Sequence, residues 1–300
     1  MKTSILLLIM LGLGIAACDT TGHGSQESDF VVEAILVSGE LLPTIRLSRV
    51  TSIEQDYDFL GLGVQGAKVE LDLLDETGSS QSTHEYEESP EFQGFYYPRS
   101  RLARVQPLQV YRLRVSLDET GTAITATTVT PDTFSVVHAT LSTAVYQAPE
   151  QLELTITRSS FPGREQNYYV FVTEALDPKV EELTPLALAR YESDASDEAL
   201  ESLSLNGSPI LSEDNYEPHA DGTITMRYPW IGINFYGPNR IHINALDNNL
   251  YDFFRSQSVQ QGGSTLAPGE IPNPIERITG AHGVFGAYAS VSFDLEVLRQ

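Results

Sequence analysis

The sequence predicts a mostly-β fold, an antiparallel β-sandwich followed by a second β-rich domain with a few short helices. Three observations predict it. Short segments alternate apolar and polar residues with period two. Gly-containing turns separate these segments, as Asp75-Glu76-Thr77-Gly78 and Asp118-Glu119-Thr120-Gly121 do. A helical period is confined to a few stretches of the second half. Hydrophobic residues make up 41% of the 300, including 14 Tyr and 12 Phe, which is enough for a packed core.

The N-terminus sets the address. Lys2 gives a short positive start and Ile5–Leu13 is an almost unbroken apolar run. A bilayer-spanning helix needs about 20 apolar residues, so this run has the length of a secretory signal core. It ends in Ile15-Ala16-Ala17-Cys18, which resembles a bacterial lipobox, with Cys18 as lipid acceptor and new first residue. Cys18 is the single cysteine, which excludes a disulfide framework and a multi-cysteine zinc site. Residues 1–17 are therefore expected to be a lipoprotein signal peptide. Residues 18–29, polar, small and non-periodic, are expected to form a flexible tether.

Residues 30–136 carry the sandwich pattern, of the immunoglobulin/transthyretin-like kind. Phe30–Val37 is rich in β-branched residues. Ile45–Val50 and Ala67–Leu73 alternate. Tyr111–Leu117 is the cleanest strand, with Tyr111, Leu113, Val115 and Leu117 on one face and Arg112 and Arg114 on the other. Thr122–Thr130 is a Thr-rich strand stopped by Pro131.

Residues 137–300 form the second expected domain. Leu152, Leu154 and Ile156 alternate, and Tyr168–Val172 is apolar on both faces, as in a strand between two layers. Val180–Tyr191 and Ser196–Leu203 read as short helices within an acidic insertion. Leu246–Gln257, with Leu250, Phe253 and Phe254 at helical spacing, is the strongest helix. A Gly-rich loop, 272–288, leads into a final strand, Ala289–Val297.

Net charge excludes some functions. Lys and Arg number 18 against 41 Asp and Glu, giving −23. A nucleic-acid surface needs the opposite sign, and electrostatic docking on anionic lipid is likewise disfavoured. Two clusters are candidate sites. Glu213, Asp214, Glu217 and Asp221 offer hard oxygen ligands in one loop, a calcium candidate without EF-hand spacing. Tyr228, Trp230, Phe235 and Tyr236 lie in a Gly/Pro-punctuated aromatic segment that, if exposed, would stack on a sugar or grip a peptide. No Gly-x-Ser-x-Gly elbow and no His-Glu-x-x-His occurs, so no catalytic residue is assigned.

The ending Gly280-Ala281-His282-Gly283-Val284-Phe285-Gly286 resembles that of the DUF4249 family of Bacteroidetes-type envelope lipoproteins. Arg277 stands where that family usually has Asn, and Ala281 replaces the second Gly of its pair. The lipobox, Val31–Ala34, Ala67–Leu73 and Leu250–Phe254 extend the resemblance along the chain. It implies a cell-envelope lipoprotein, often encoded near TonB-dependent outer-membrane receptors, and supplies no catalytic residues. The expectation is a non-enzymatic binding or accessory module for a small ligand, glycan or peptide, without obligatory cofactor. It would be anchored through Cys18 in the outer membrane and face the periplasm or the surface. A structural envelope lipoprotein is the alternative and a hydrolase the third reading.

Overall fold

A computed structural model describes residues 30–51, 58–117, 121–164, 167–191, 196–258, 275 and 277–300. The expected signal peptide, Cys18 and the tether lie outside the described residues. Period-two alternation becomes strand throughout the first half: β1 (Phe30–Val37), β2 (Ile45–Arg49), β3 (Lys68–Leu74), β4 (Ser80–Glu88), β5 (Phe95–Pro98), β6 (Val110–Leu117) and β7 (Thr122–Val129). In β6, Tyr111, Leu113, Val115 and Leu117 are buried and Arg112 and Arg114 face outward, as the pattern requires.

The second half contains β8 (Val136–Ala139), β9 (Thr143–Val145), β10 (Leu152–Ile156), β11 (Tyr168–Ala175), α1 (Pro185–Tyr191), α2 (Asp197–Ser204), β12 (Leu205–Gly207), β13 (Leu211–Ser212), β14 (Ile224–Tyr228), β15 (Gly237–Leu246), α3 (Asn248–Ser258), β16 (Ile278–Thr279) and β17 (His282–Leu298). The mostly-β class therefore holds, with three short α-helices among the described residues. The expected helix over 180–191 is divided. A single 3-10 turn, Val180–Glu182, precedes α1, which opens on Pro185, a residue suited to the first helical turn. Ser196 caps α2, accepting from Ala199 N at 3.1 Å. Among the described residues no helix is long and apolar enough to cross a membrane.

Two strands change partners and so shape the molecule. Residues 80–85 of β4 pair with β3, and residues 86–88 pair with β5. That switch turns one sheet path over on itself, so that Val32, Leu36 and Leu47 share a core with Leu71, Leu113 and Ile124. Strand β17 runs parallel to β1 over 282–288, antiparallel to β15 over 288–297, and parallel to β9 at its end. Its Phe285 and Ala287 belong to the first core, and its Leu295 and Val297 to the second. Residues 30–136 therefore share their core with the C-terminal strand. The second core packs the three-stranded sheet β14-β10-β8 against β11, β15 and the end of β17.

The Gly-rich ending is strand, and its glycines mark close approaches. Gly283 has φ +110°, and a Cβ there would lie 2.1 Å from the Val32 carbonyl oxygen of neighbouring β1. At Gly286 a Cβ would lie 2.6 Å from Leu250 Cγ, so this glycine seats α3 on β17. Asp247 precedes α3 and caps it, accepting from Leu250 N at 2.7 Å, which is why the helix starts at Asn248 rather than at the expected Leu246. Thr128 of β7 also hydrogen-bonds Asp247, and Asn249 donates to Thr127 O and Phe285 O, both at 2.8 Å. Helix α3 thereby bolts β7 to β17 at the joint between the cores.

Candidate functional site

Strand β11 is where the second unit opens. Its outer edge is paired only in part: β12 covers Val172–Glu174 and β13 covers Tyr168 and Tyr169. Between them Ser208-Pro209-Ile210 crosses the edge, with Ser208 N donating to Phe171 O at 2.8 Å and Ser208 Oγ accepting from Phe171 N at 3.0 Å. This crossing covers a sheet edge with a loop and a proline. It also separates two cavities on opposite faces of β11.

The cavity on the inner face, about 530 Å³, is the candidate site. Phe171 and Tyr228 form its floor, Leu186 of α1 and Ile231 stand at its walls, and Pro209 and Leu211 close the crossing side. Leu186 and Ile231 are exposed despite being aliphatic, Ile231 by 66%. The polar lining of the cavity is Arg190, Asn206, Ser208, Tyr216, Arg227 and the Tyr228 phenol. A concave apolar cleft with a few polar groups at one side is the usual form of a small-ligand seat. Asn234, fully within the protein, fixes this geometry. Its side chain donates to Leu203 O of α2 at 2.8 Å and accepts from Arg190 and Asn206. Its backbone carbonyl accepts from Thr184 N at 2.8 Å, just before α1. Burial pushes the Tyr228 phenol up to about 12, although its hydrogen bond to Thr173 opposes this, so the ring is neutral at physiological pH.

On the outer face a cavity of about 570 Å³ lies between Val170, Pro209 and α3 residues Tyr251 and Phe254. Here Tyr168 and Tyr251 stack with ring centroids 4.0 Å apart. The Arg164 guanidinium lies 5.1 Å from the Tyr168 ring centroid and that of Arg255 6.0 Å from Tyr251. The aromatic faces are thus occupied by one another and by guanidinium groups.

The four predicted ligand-binding aromatics do not assemble into one flat platform. Only Tyr228 lines the candidate cleft. Phe235 is buried with Leu183, Ala187 and Leu203 in a third core under α1 and α2. Trp230 and Tyr236 pack edge-on against Tyr146 at 5.7 and 5.6 Å, and Trp230 Nε1 donates to Ala148 O. Core packing claims these rings because the segment folds back over β9 and β14.

The four predicted calcium ligands are likewise dispersed. Glu213 is buried, where it pairs with Arg158 and accepts from Asn167 N at 2.9 Å. Asp214 and Glu217 are exposed. Asp221 ties its own turn, accepting from Thr223 Oγ1 at 2.7 Å, and hydrogen bonds from Thr223 hold its carboxyl below the ordinary range. Among the described residues no three His, Cys, Asp or Glu side chains gather as a metal would need. Leu186 and Arg190 lie in the expected helix over 180–191 and Ile231 in the aromatic segment, but no local pattern marks these residues or Pro209 as sharing one cleft.

The profile of the family described as "Domain of unknown function (DUF4249)" matches residues 19–294. The chain belongs to the DUF4249 family. No curated protein matches this DUF4249 chain significantly. Among solved structures it is similar to trypsin-activated alpha-2-macroglobulin from Escherichia coli (8% identity, TM-score 0.23, covering 74% of this chain and 14% of that one). Salmonella alpha-2-macroglobulin reacted with methylamine gives 10% identity, TM-score 0.25, and 90% and 15% coverage. The DUF4249 chain thus spans about one seventh of those proteins' length. Values this low carry no statement about fold or function.

Proposed function

We propose that this DUF4249 protein is the lipid-tethered head of a cell-envelope lipoprotein and acts as a non-enzymatic binding or accessory module. The carrying observation is the preformed cleft of about 530 Å³ between Phe171, Leu186, Tyr228 and Ile231, built on rigid strands and braced by Asn234. Its chemistry suits a ligand with an apolar body and one hydrogen-bonding end, such as a peptide side chain or the less polar face of a sugar. Anchoring is supported by the Ile15-Ala16-Ala17-Cys18 sequence and by the family match, which begins one residue past Cys18. The family resemblance supports a place beside a TonB-dependent receptor in the outer membrane, where the head would serve as a lid or capture arm.

Two measurements test the two parts. Detergent-phase partition and acyl labelling are expected for the native chain and lost in Cys18→Ser; unchanged partition contradicts the anchor. Calorimetric titration of the purified chain with panels of oligosaccharides and oligopeptides is expected to give saturable binding to one class. Absence of saturable binding across both panels, with no receptor co-purifying from membranes, contradicts the binding reading and favours a structural role.

A further inference from the structure

The first sandwich carries a second apolar surface, made of residues that do not line the cleft. Val50, Phe59, Leu60 and Phe92 are each 44–50% exposed. They are neighbours through the end of β2. Arg49 N donates to Leu62 O, and Leu47 N donates to Gly94 O. Phe59 and Phe92 both contact Phe95, with centroids at 5.9 and 6.2 Å. Arg46, buried beneath them, lies 3.8 Å from the Phe59 ring centroid and pairs with Glu33 at 2.5 Å. Exposed aromatic and aliphatic side chains gathered at one end of the head form a candidate interaction surface.

Its position identifies the occupant. Phe30, the first residue of β1, is the register partner of Arg49, and Val50 follows directly. The patch therefore begins one strand spacing from the point where residues 19–29 join the head. Even fully extended, that segment separates Cys18 from Phe30 by no more than about 40 Å. Exposed Asp58 and Glu91 flank Phe59 and Phe92 and exposed Arg49 precedes Val50, so the surface offers no basic cluster to anionic headgroups. Aromatic and aliphatic side chains without a basic cluster suit the interfacial zone of a neutral bilayer.

We propose that Val50, Phe59, Leu60 and Phe92 rest in the headgroup region of the bilayer that holds acylated Cys18, so that the head lies on the membrane by its tether end. This rests on the lipoprotein reading of Cys18. The other end of β1 is the internal control. Leu102 is 86% exposed, in a loop tied to the segment after β1 through Leu42 N to Ala103 O at 2.9 Å. An eight-residue strand places it roughly 23 Å from the tether end.

Acylation consumes the only thiol, so an introduced cysteine becomes the only labelling site. The full-length acylated chain carrying Phe92→Cys, with Leu60→Cys as a second variant, is spin-labelled and reconstituted in phosphatidylcholine vesicles. Collision with dissolved oxygen is compared with collision with a water-soluble nickel complex. The expected result is oxygen-dominated relaxation at 60 and 92, nickel-dominated relaxation at Leu102→Cys, and no change with salt. Nickel-dominated relaxation at all three sites would overturn the docking while leaving the anchor intact, as would a label shielded only when a protein partner is added. Labelling of the wild-type chain at Cys18 would overturn the anchor itself and the docking with it.

Discussion

In the first unit Val32, Leu47, Leu71, Leu113 and Ile124 close a core that reaches from sheet to sheet, and its outer face is tied by charge. In the second, β11 keeps an edge that is only partly paired, and a cleft remains between that edge, α1 and the turn at Ile231. The two units share β17, so the closed one steadies the open one through a single continuous strand. The candidate cleft and the closed core therefore lie apart along one sheet path.

The same contrast appears in two buried aspartates. Asp72, on the outer face of the closed unit, accepts from Arg112 Nη2 at 2.9 Å, Arg114 Nε at 2.7 Å and Thr83 Oγ1 at 2.7 Å. Burial alone would raise it, but the hydrogen bonds from Arg114, Thr83 and Arg112 outweigh this and hold it well below the ordinary carboxylate range. Asp247, at the joint between the units, has a hydroxyl and backbone amides as its close partners. Burial pushes it up to about 6, against the opposing hydrogen bonds of Thr128, Leu250 N and Ala287. Arg164 favours its charged form too weakly to reverse that.

The largest expected effect strikes the shared strand. Gly283→Ala puts a methyl against the Val32 carbonyl at positive φ and is expected to cost about 4 kcal/mol. Urea unfolding should show both units losing stability together; loss confined to one unit would break the shared-strand reading. Next, Asp72→Ala leaves two guanidinium groups without their common acceptor and is expected to cost about 3 kcal/mol at pH 7. Because the folded-state value is depressed, this contribution is present above the unfolded value near 4 and is lost as pH falls through the folded one. The variant should therefore converge on wild type in acid.

Asp247→Asn is expected to act with the opposite sign. A raised carboxyl stabilises the fold fully below about 4, and that contribution is lost as pH rises towards 6, a cost of about 3 kcal/mol from a shift of roughly two pH units. Asn keeps the acceptor for Leu250 N and carries no charge. The variant should flatten the stability profile between pH 4 and 6 and be about 2 kcal/mol more stable at pH 7. A variant less stable than wild type at pH 7 would mean that Asp247 is ionised and paired at the joint.

Much of this architecture was legible in the sequence because local alternation decides which face a strand buries: β1, β3, β6 and β7 lie where the pattern places them. What was not legible depends on residues far apart in the chain. The closing strand was expected to start at Ala289, because Gly283 and Gly286 look like loop residues. They are strand residues that make room for Val32 O and Leu250. Parallel pairing of β1 with β17 leaves no local signature. Glu213 sits in a run of acids and is nevertheless buried, because Arg158 arrives from another segment. The cleft joins Leu186 of α1, Pro209 of the crossing segment, Tyr228 of β14 and Ile231 of the turn after it, and of these only Tyr228 was itself singled out as a binding residue.

The most direct test of the central claim changes Ile231 to arginine. This side chain stands exposed at the cleft mouth, so Ile231→Arg should shift stability by less than about 0.5 kcal/mol. Titrated with the ligand class that binds wild type, the variant is expected to lose affinity at least tenfold while Leu102→Ser binds as wild type does. Equal affinity for wild type and Ile231→Arg would place the ligand elsewhere and contradict the account.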